Sequence, residues 1–342
     1  MKAAVLYGKE QVRIEEVPPA PLGPGEARLT IEAALTCGTD LKVFQRGYHT
    51  RMIRPPAVFG HELAGVISDL GEGVTGWRAG ERVAVANSAP CGQCYYCQRG
   101  QENLCDDLLF LNGAYAESIV VPARVVQKNM LRLKPETSFR DAALVEPLAC
   151  VAHGVQDSQL RAGESVLVIG AGPIGLMFVV SAHELGCHVV TADCRVPRLE
   201  AARRLGAVQT VDVTGAPDVA AAIQKQAGRF DVVIEAVGKP ETWAAALKLV
   251  RKGGRVNLFG GCPAGTSVPL DTGLMHYQNL TLQSSFHHTP RSVRRALDFI
   301  ERGLVRAADF VNGECPLSQL PELLRSMAAG SSAVKTLIRV KE

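Results

Sequence analysis

The sequence predicts a two-part α/β fold, a mostly antiparallel β lobe with a doubly wound parallel sheet inserted into it. Three observations carry that expectation. Up to about residue 125 the chain is rich in Gly, Pro and Val and holds short alternating runs such as EARLTIEAAL and ERVAVA, the pattern of half-buried strands. From about residue 160, the runs ESVLVIG, HVVTADC, FDVVIEAVG and GGRVNLFGG are short and nearly all apolar, with helical patterns between them. That is how buried parallel strands alternating with helices read. After about residue 287 come a helix, SVRRALDFIERG, and a closing strand, VKTLIRV, with no sheet of their own. These last residues are therefore expected to return to the first lobe. A chain of 342 residues is also longer than one hydrophobic core usually fills.

The opening segment, MKAAVLYGKEQVRIEEV, alternates like a first strand and has no apolar run of signal-peptide length. No stretch has the eighteen or so consecutive apolar residues of a membrane span. In PRLEAARRLGA, Pro197 stands where helices start and Gly206 where they stop. A net charge of +3 is too small for nucleic-acid or membrane-surface binding, so the basic cluster from Arg291 to Arg295 reads as a solvated helix face. The expected compartment is a reducing cytoplasm, where structural disulfides are rare.

That compartment bears on CGQCYYCQRGQENLC, which places Cys91, Cys94, Cys97 and Cys105 in the form C-x2-C-x2-C-x7-C. Bacterial iron–sulfur loops close with C-x3-C-P, whereas here the last gap is seven residues and Asp106 follows. A redox C-x-x-C opens a helix beside a βαβ unit, which is not this setting. Four thiolates suit tetrahedral zinc, and a polar loop gains from the metal the folding free energy that it cannot gain from burial. Four protein ligands leave no open position, so this site would be scaffolding.

A second set of candidate ligands is scattered. LTCGTD carries Cys37 and Thr39, FGHEL carries His61 and Glu62, and LVEPLAC carries Glu146. Singly each is weak: a lone Cys is usually a small buried hydrophobe, and Glu146 before Pro147 could merely favour a helix start. Together they offer one soft and two harder ligands, the mixed set of a catalytic zinc with an open position. Such a zinc lowers the pKa of a bound alcohol, and Thr39 is placed to accept the proton.

The run VLVIGAGPIGL sets Gly170, Gly172 and Gly175 in G-x-G-x-x-G, with Pro173 and Ile174 between the last two glycines. It follows an apolar strand and opens a helical pattern, the context that makes it a dinucleotide fingerprint. Asp193, at the end of the next strand, is placed to hold the adenosine ribose and repel a 2′-phosphate, favouring NAD over NADP. Arg195 and Arg198 pull the other way, since a nearby arginine accommodates that phosphate.

CGTD, GHE and EPL, with the four-cysteine loop between the last two, resemble the zinc-dependent medium-chain alcohol dehydrogenases, and most closely their sorbitol (polyol) and threonine dehydrogenase branch. The resemblance implies a GroES-like catalytic domain at 1–150, a Rossmann domain at 151–286 and a return to the catalytic domain at 287–342. It implies one structural zinc on the four cysteines. It also implies one catalytic zinc on Cys37, His61 and either Glu62 or Glu146, the sequence not deciding which. It places Arg198 near the adenosine, and backbone at Phe259, Gly260, Ser285 and Phe286 near the nicotinamide. A homo-oligomer, tetramer or dimer, is expected on the same ground.

Two positions depart from the family pattern. Lys42 stands where many members have a proton-relay histidine, so the last proton would leave through Lys42, water or the ribose. Val43 replaces an aromatic residue common near polyol substrates. His287 and His288 are candidates for substrate hydroxyls or ordinary loop residues, and Tyr48, His49 and Arg51 read as surface. The function expected is NAD-linked oxidation of a secondary alcohol or polyol to a ketone. A non-catalytic dinucleotide-binding protein would show gaps in the catalytic set, and Cys37, Thr39, His61, Glu62 and Glu146 are all present. A nucleic-acid-binding zinc ribbon is disfavoured by the low charge.

Overall fold

The structure is a computed structural model describing residues 1–330 and 335–341. Two compact units result: residues 1–149 together with the described residues from 288 onward, and residues 150–287.

The first unit is built on a seven-stranded sheet. Its path runs Met130–Arg132, Arg82–Val85, Glu62–Leu70, Ala27–Leu35, Thr336–Arg339, Gly313–Pro316, and Ser118–Val121 also pairs with Ala27–Leu35. Alternation in ARLTIEAAL sends Ala27, Leu29 and Ile31 into the core, where they meet Leu63, Ile67, Val83 and Val85. A three-stranded sheet of Gln11–Glu16, Lys2–Gly8 and Ala57–Val58 stands beside it.

Register matters for the site. Leu35 lies opposite Glu62 on one side and Leu337 on the other, so the ends of three distant segments meet. The chain's last strands have no sheet of their own; they pair with each other in parallel and extend the sheet through Ala27–Leu35. The closing strand is Thr336–Arg339, shorter than the run VKTLIRV, whose Val334 lies outside the described residues.

The second unit is a six-stranded parallel sheet in the order Gln209–Asp212, His188–Asp193, Ser165–Ile169, Phe230–Glu235, Val250–Leu258, Thr281–Gln283. Counting within the unit this is 3-2-1-4-5-6, the doubly wound order. The central strands read as unbroken apolar runs because both faces are covered: Val166, Leu167 and Val168 are all fully buried. Both predicted sheet types are thus present. Among the described residues no helix is long and apolar enough to cross a membrane.

Candidate active site and metal centres

Cys37 ends the turn after Ala27–Leu35 and caps the helix Gly38–Arg46. Its sulfur accepts the Thr39 N–H at 3.4 Å, and its own N–H donates to Asp40 Oδ2 at 2.9 Å. The other Asp40 oxygen, Oδ1, lies 3.0 Å from His61 Nδ1. One carboxylate therefore fixes both the backbone of Cys37 and the ring of His61. With Nδ1 engaged, Nε2 is the nitrogen left for a metal, the usual device by which an outer carboxylate orients a histidine ligand. Ligand atoms of Cys37, His61 and Glu62 all lie within 4.8 Å of one another.

Glu62 opens its strand fully buried. Its Oε2 takes a hydrogen bond from Lys335 Nζ, and Oε1 is buried with no hydrogen-bond partner among the described residues. Burial of this carboxyl pushes its pKa up, while Lys335 and His61 pull it back. Burial likewise presses His61 down, but Asp40 and the Cys37 thiol override it and hold His61 well above its ordinary value. An orphaned carboxylate oxygen beside a thiol and an imidazole is what a divalent cation would satisfy. The residues present fit zinc.

Glu146 lies in the first turn of the helix Val145–Asp157. Burial raises its carboxyl to about 7, with His61 opposing and Glu62 reinforcing the rise. It feels the same charges but stands outside the Cys37–His61–Glu62 group. Thr39 is half-buried on the first helical turn, two residues from Cys37, whereas Lys42 is exposed on the same helix. Tyr48 and Arg51 are exposed, but His49 is half-buried, its Nδ1 accepting the N–H groups of Arg51 and Met52. His288 is buried against Asn87 Oδ1 at 3.1 Å.

The cysteine loop brings Cys91, Cys94, Cys97 and Cys105 together. The pairs Cys91–Cys97 and Cys94–Cys105 are each 3.9 Å apart, sulfur to sulfur. A disulfide needs about 2.05 Å. Four sulfurs about 2.3 Å from one tetrahedral ion have edges of about 3.8 Å, so the loop has the dimensions of a zinc cradle. The N–H groups of Cys97 and Asp106 hold the Cys94 thiol down at about 6, so it is largely thiolate at neutral pH.

In the second unit the Gly170–Gly175 turn joins Ser165–Ile169 to the helix Pro173–Glu184. Gly170 has φ +98°, and a Cβ on Gly175 would lie 1.8 Å from Gly170 O, so both must be glycine. Gly172 caps the helix with no side-chain cap hydrogen bond and Pro173 in its first turn, Ile174 follows half-buried, and a helix N-terminus of this kind favours a pyrophosphate. Asp193 is committed locally: Oδ2 accepts the Ala171 N–H at 2.7 Å and Oδ1 the Arg195 N–H at 2.9 Å. An Arg198 guanidinium nitrogen lies 3.9 Å from the point where a Gly172 Cβ would sit.

Phe259 and Gly260 both donate backbone N–H to Glu235 O, and the Phe259 ring packs edge-on against Phe178. Ser285 is buried, its hydroxyl donating to Asp157 Oδ2 at 2.7 Å and accepting from Asn257 at 2.9 Å. Phe286 is exposed.

Residues 23–130 match the family described as alcohol dehydrogenase GroES-like domain, and 173–302 that described as zinc-binding dehydrogenase. D-altritol 5-dehydrogenase of Agrobacterium fabrum is 34% identical over 94% of this chain and 94% of its own. This chain belongs to the zinc-dependent medium-chain dehydrogenases. Within that family it falls in the sorbitol and threonine dehydrogenase-like branch. Sorbitol dehydrogenase of Bacillus subtilis is 28% identical across 99% of this chain and 97% of its own. A Sinorhizobium meliloti 1021 structure solved with NADP bound superposes with a TM-score of 0.90, 30% identity and 98% coverage of both chains. The chain is thus an alcohol or polyol dehydrogenase acting on CH–OH donors.

Three residues of the site escaped sequence reasoning: Asp40, Lys335 and Tyr115, whose buried hydroxyl donates to Asp40 Oδ2 at 2.5 Å. Asp40 stood within the CGTD motif, and a carboxylate three residues after a capping Cys was the available signal. Nothing local marked the other two.

Proposed function

We propose that this chain oxidises a secondary alcohol or polyol to a ketone with NAD, using zinc held by Cys37, His61 and Glu62. The observation that carries the reading is the convergence of those three ligand atoms with Glu62 Oε1 buried and unpartnered. Asp40 occupies His61 Nδ1 and so leaves Nε2 as the nitrogen for a metal, and Lys335 leaves Glu62 Oε1 free, so two outer partners each select one ligand atom. Zinc bound there would lower the pKa of a substrate hydroxyl, and NAD would take the hydride from the carbinol carbon. Thr39 accepts the hydroxyl proton, and Lys42, exposed on the same helix, takes part in passing it to water.

Glu146, with a pKa of about 7, serves as the second carboxylate beside the metal rather than its standing ligand. A second zinc on Cys91, Cys94, Cys97 and Cys105 holds the loop's shape and takes no part in the chemistry.

We favour NAD over NADP on the reading that Asp193, which ends its strand and accepts the N–H groups of Ala171 and Arg195, also meets the ribose 2′-hydroxyl and repels a 2′-phosphate. Arg198, near Gly172, supports the adenosine side. Backbone following the strand Val250–Leu258 and around Ser285 and Phe286 contacts the carboxamide. The domains we assign are catalytic at 1–150, cofactor-binding at 151–286 and catalytic again from 287. We place the enzyme in a reducing cytoplasm, consistent with ten cysteines none of which is paired in a disulfide, and by its family we expect a dimer or tetramer.

The test is formation of reduced nicotinamide with NAD and NADP in parallel across polyols, secondary alcohols and L-threonine, with zinc counted per chain. Chelator-sensitive turnover and two zincs are expected. One zinc, still present after Cys37→Ser, would refute the catalytic metal site.

A further inference from the structure

The outer shell of His61 does not end at Asp40. Tyr115 is the largest fully buried side chain among the described residues, and its hydroxyl lies 2.5 Å from Asp40 Oδ2 and 3.1 Å from Leu35 O. A phenol has one proton to give, and both distance and charge send it to the carboxylate. Burial and the neighbouring Asp40 charge hold the phenol well above its ordinary pKa, so it remains a donor.

Asp40 then has every inward bond accounted for: Oδ1 to His61, and Oδ2 to the Cys37 N–H and the Tyr115 O–H. The tyrosine ring is fixed independently. Its carbonyl accepts the Ala4 N–H and its own N–H donates to Phe59 O, and Phe59 meets the ring edge-on at 5.7 Å. Gly60, at φ +89°, leaves the space the ring fills, since a Cβ there would lie 2.7 Å from it. The residue preceding His61 is therefore shaped to admit the ring whose hydroxyl holds the partner of His61.

We infer that Tyr115 is a positioning residue for the metal ligands, acting through Asp40 on both His61 and Cys37. The inference rests on the reading that Cys37, His61 and Glu62 hold zinc. A phenylalanine would keep every ring contact and remove only the hydroxyl. Asp40 Oδ2 would then keep one donor, leaving the carboxylate freer to turn away from His61.

The experiment is timed loss of zinc from holoenzyme dialysed against dipicolinate, comparing wild type, Tyr115→Phe and Asp40→Asn. Cys37→Ser identifies which zinc belongs to this site. Loss of an outer-shell partner in direct contact with a ligand costs about 10- to 100-fold in metal affinity. Tyr115→Phe, one layer further out, should release the Cys37–His61 zinc on the order of three to ten times faster than wild type. The cysteine-loop zinc should leave at the wild-type rate in every variant.

Equal rates in wild type and Tyr115→Phe would reduce Tyr115 to packing and overturn the inference. Faster loss from both sites together would overturn it too, as general destabilisation. A wild-type protein with no zinc at Cys37 and His61 would instead refute the proposed metal site, and that result is visible before any variant is compared.

Discussion

Lys335 and Glu62 form an ion pair with side-chain exposures of only 3% and 0%, and Lys335 Nζ makes its other hydrogen bond to Thr36 O at 2.8 Å. Burying two charges is costly, and removing one partner leaves the other uncompensated, at about 3–5 kcal/mol. Lys335→Met should therefore destabilise the metal-free protein by roughly that amount. Lys335→Met combined with Glu62→Gln should be more stable than the sum of the two single losses, because neither charge is then left alone. Urea unfolding of the four proteins gives the coupling energy. Strict additivity would mean that the two charges do not depend on each other.

Cys37→Ser and His61→Ala remove ligands of the proposed catalytic metal without touching the parallel sheet. Metal Lewis acidity supplies several kcal/mol of charge stabilisation, so turnover should fall by about a thousandfold or more. NAD affinity, measured by fluorescence titration, should stay near wild type, because Gly170, Gly172, Gly175 and Asp193 lie in the other unit. Loss of NAD binding alongside turnover would show that these two residues support the fold rather than the chemistry.

These residues differ in how far the sequence discloses them. Cys91 to Cys105 are close in the chain, and ligand spacing survives any detail of packing. Cys37 and His61 are recognisable as short motifs, and Asp40 shares the motif of Cys37. Lys335 and Tyr115 are another matter, being 273 residues from Glu62 and 75 from Asp40. Their placement follows from strand register, Leu35 opposite both Glu62 and Leu337, and from Tyr115 pairing with Phe59. A lysine before an alternating strand reads as a surface charge until the neighbouring strand supplies a carboxylate. The fold class was legible because burial on one face or on both leaves different periodicities, and that signal is local.

Asp193 shows a second limit of local reading. Its position predicts a ribose contact, yet its oxygens also hold the Ala171 and Arg195 N–H groups. Asp193→Ala should thus have two effects. Loosening the glycine turn weakens both cofactors, while loss of the charge relieves repulsion of a 2′-phosphate. The NAD-to-NADP ratio of kcat/KM should fall by about tenfold, the equivalent of 1.4 kcal/mol. Asp193→Asn keeps acceptor capacity and should lose less NAD affinity for a similar change in ratio. An unchanged ratio in both variants would sink the ribose assignment.

Glu146 supplies a pH test that needs no substrate. Burial holds its carboxyl at about 7, against an ordinary 4.5. Between those values the folded chain keeps a proton that the unfolded chain has released, so the group's contribution falls as pH rises across that window. Metal-free wild type should lose up to about 3 kcal/mol relative to Glu146→Gln between pH 4.5 and 7, and no more above it. Comparing the two proteins at each pH cancels much of what His61 contributes, since its raised pKa removes stability in the same direction. Urea unfolding at pH 5 and pH 8 reads the difference. A wild-type to variant gap that stays constant across the window would mean that Glu146 ionises at an ordinary pKa, and the ground for making it the second carboxylate rather than the standing ligand would go with it.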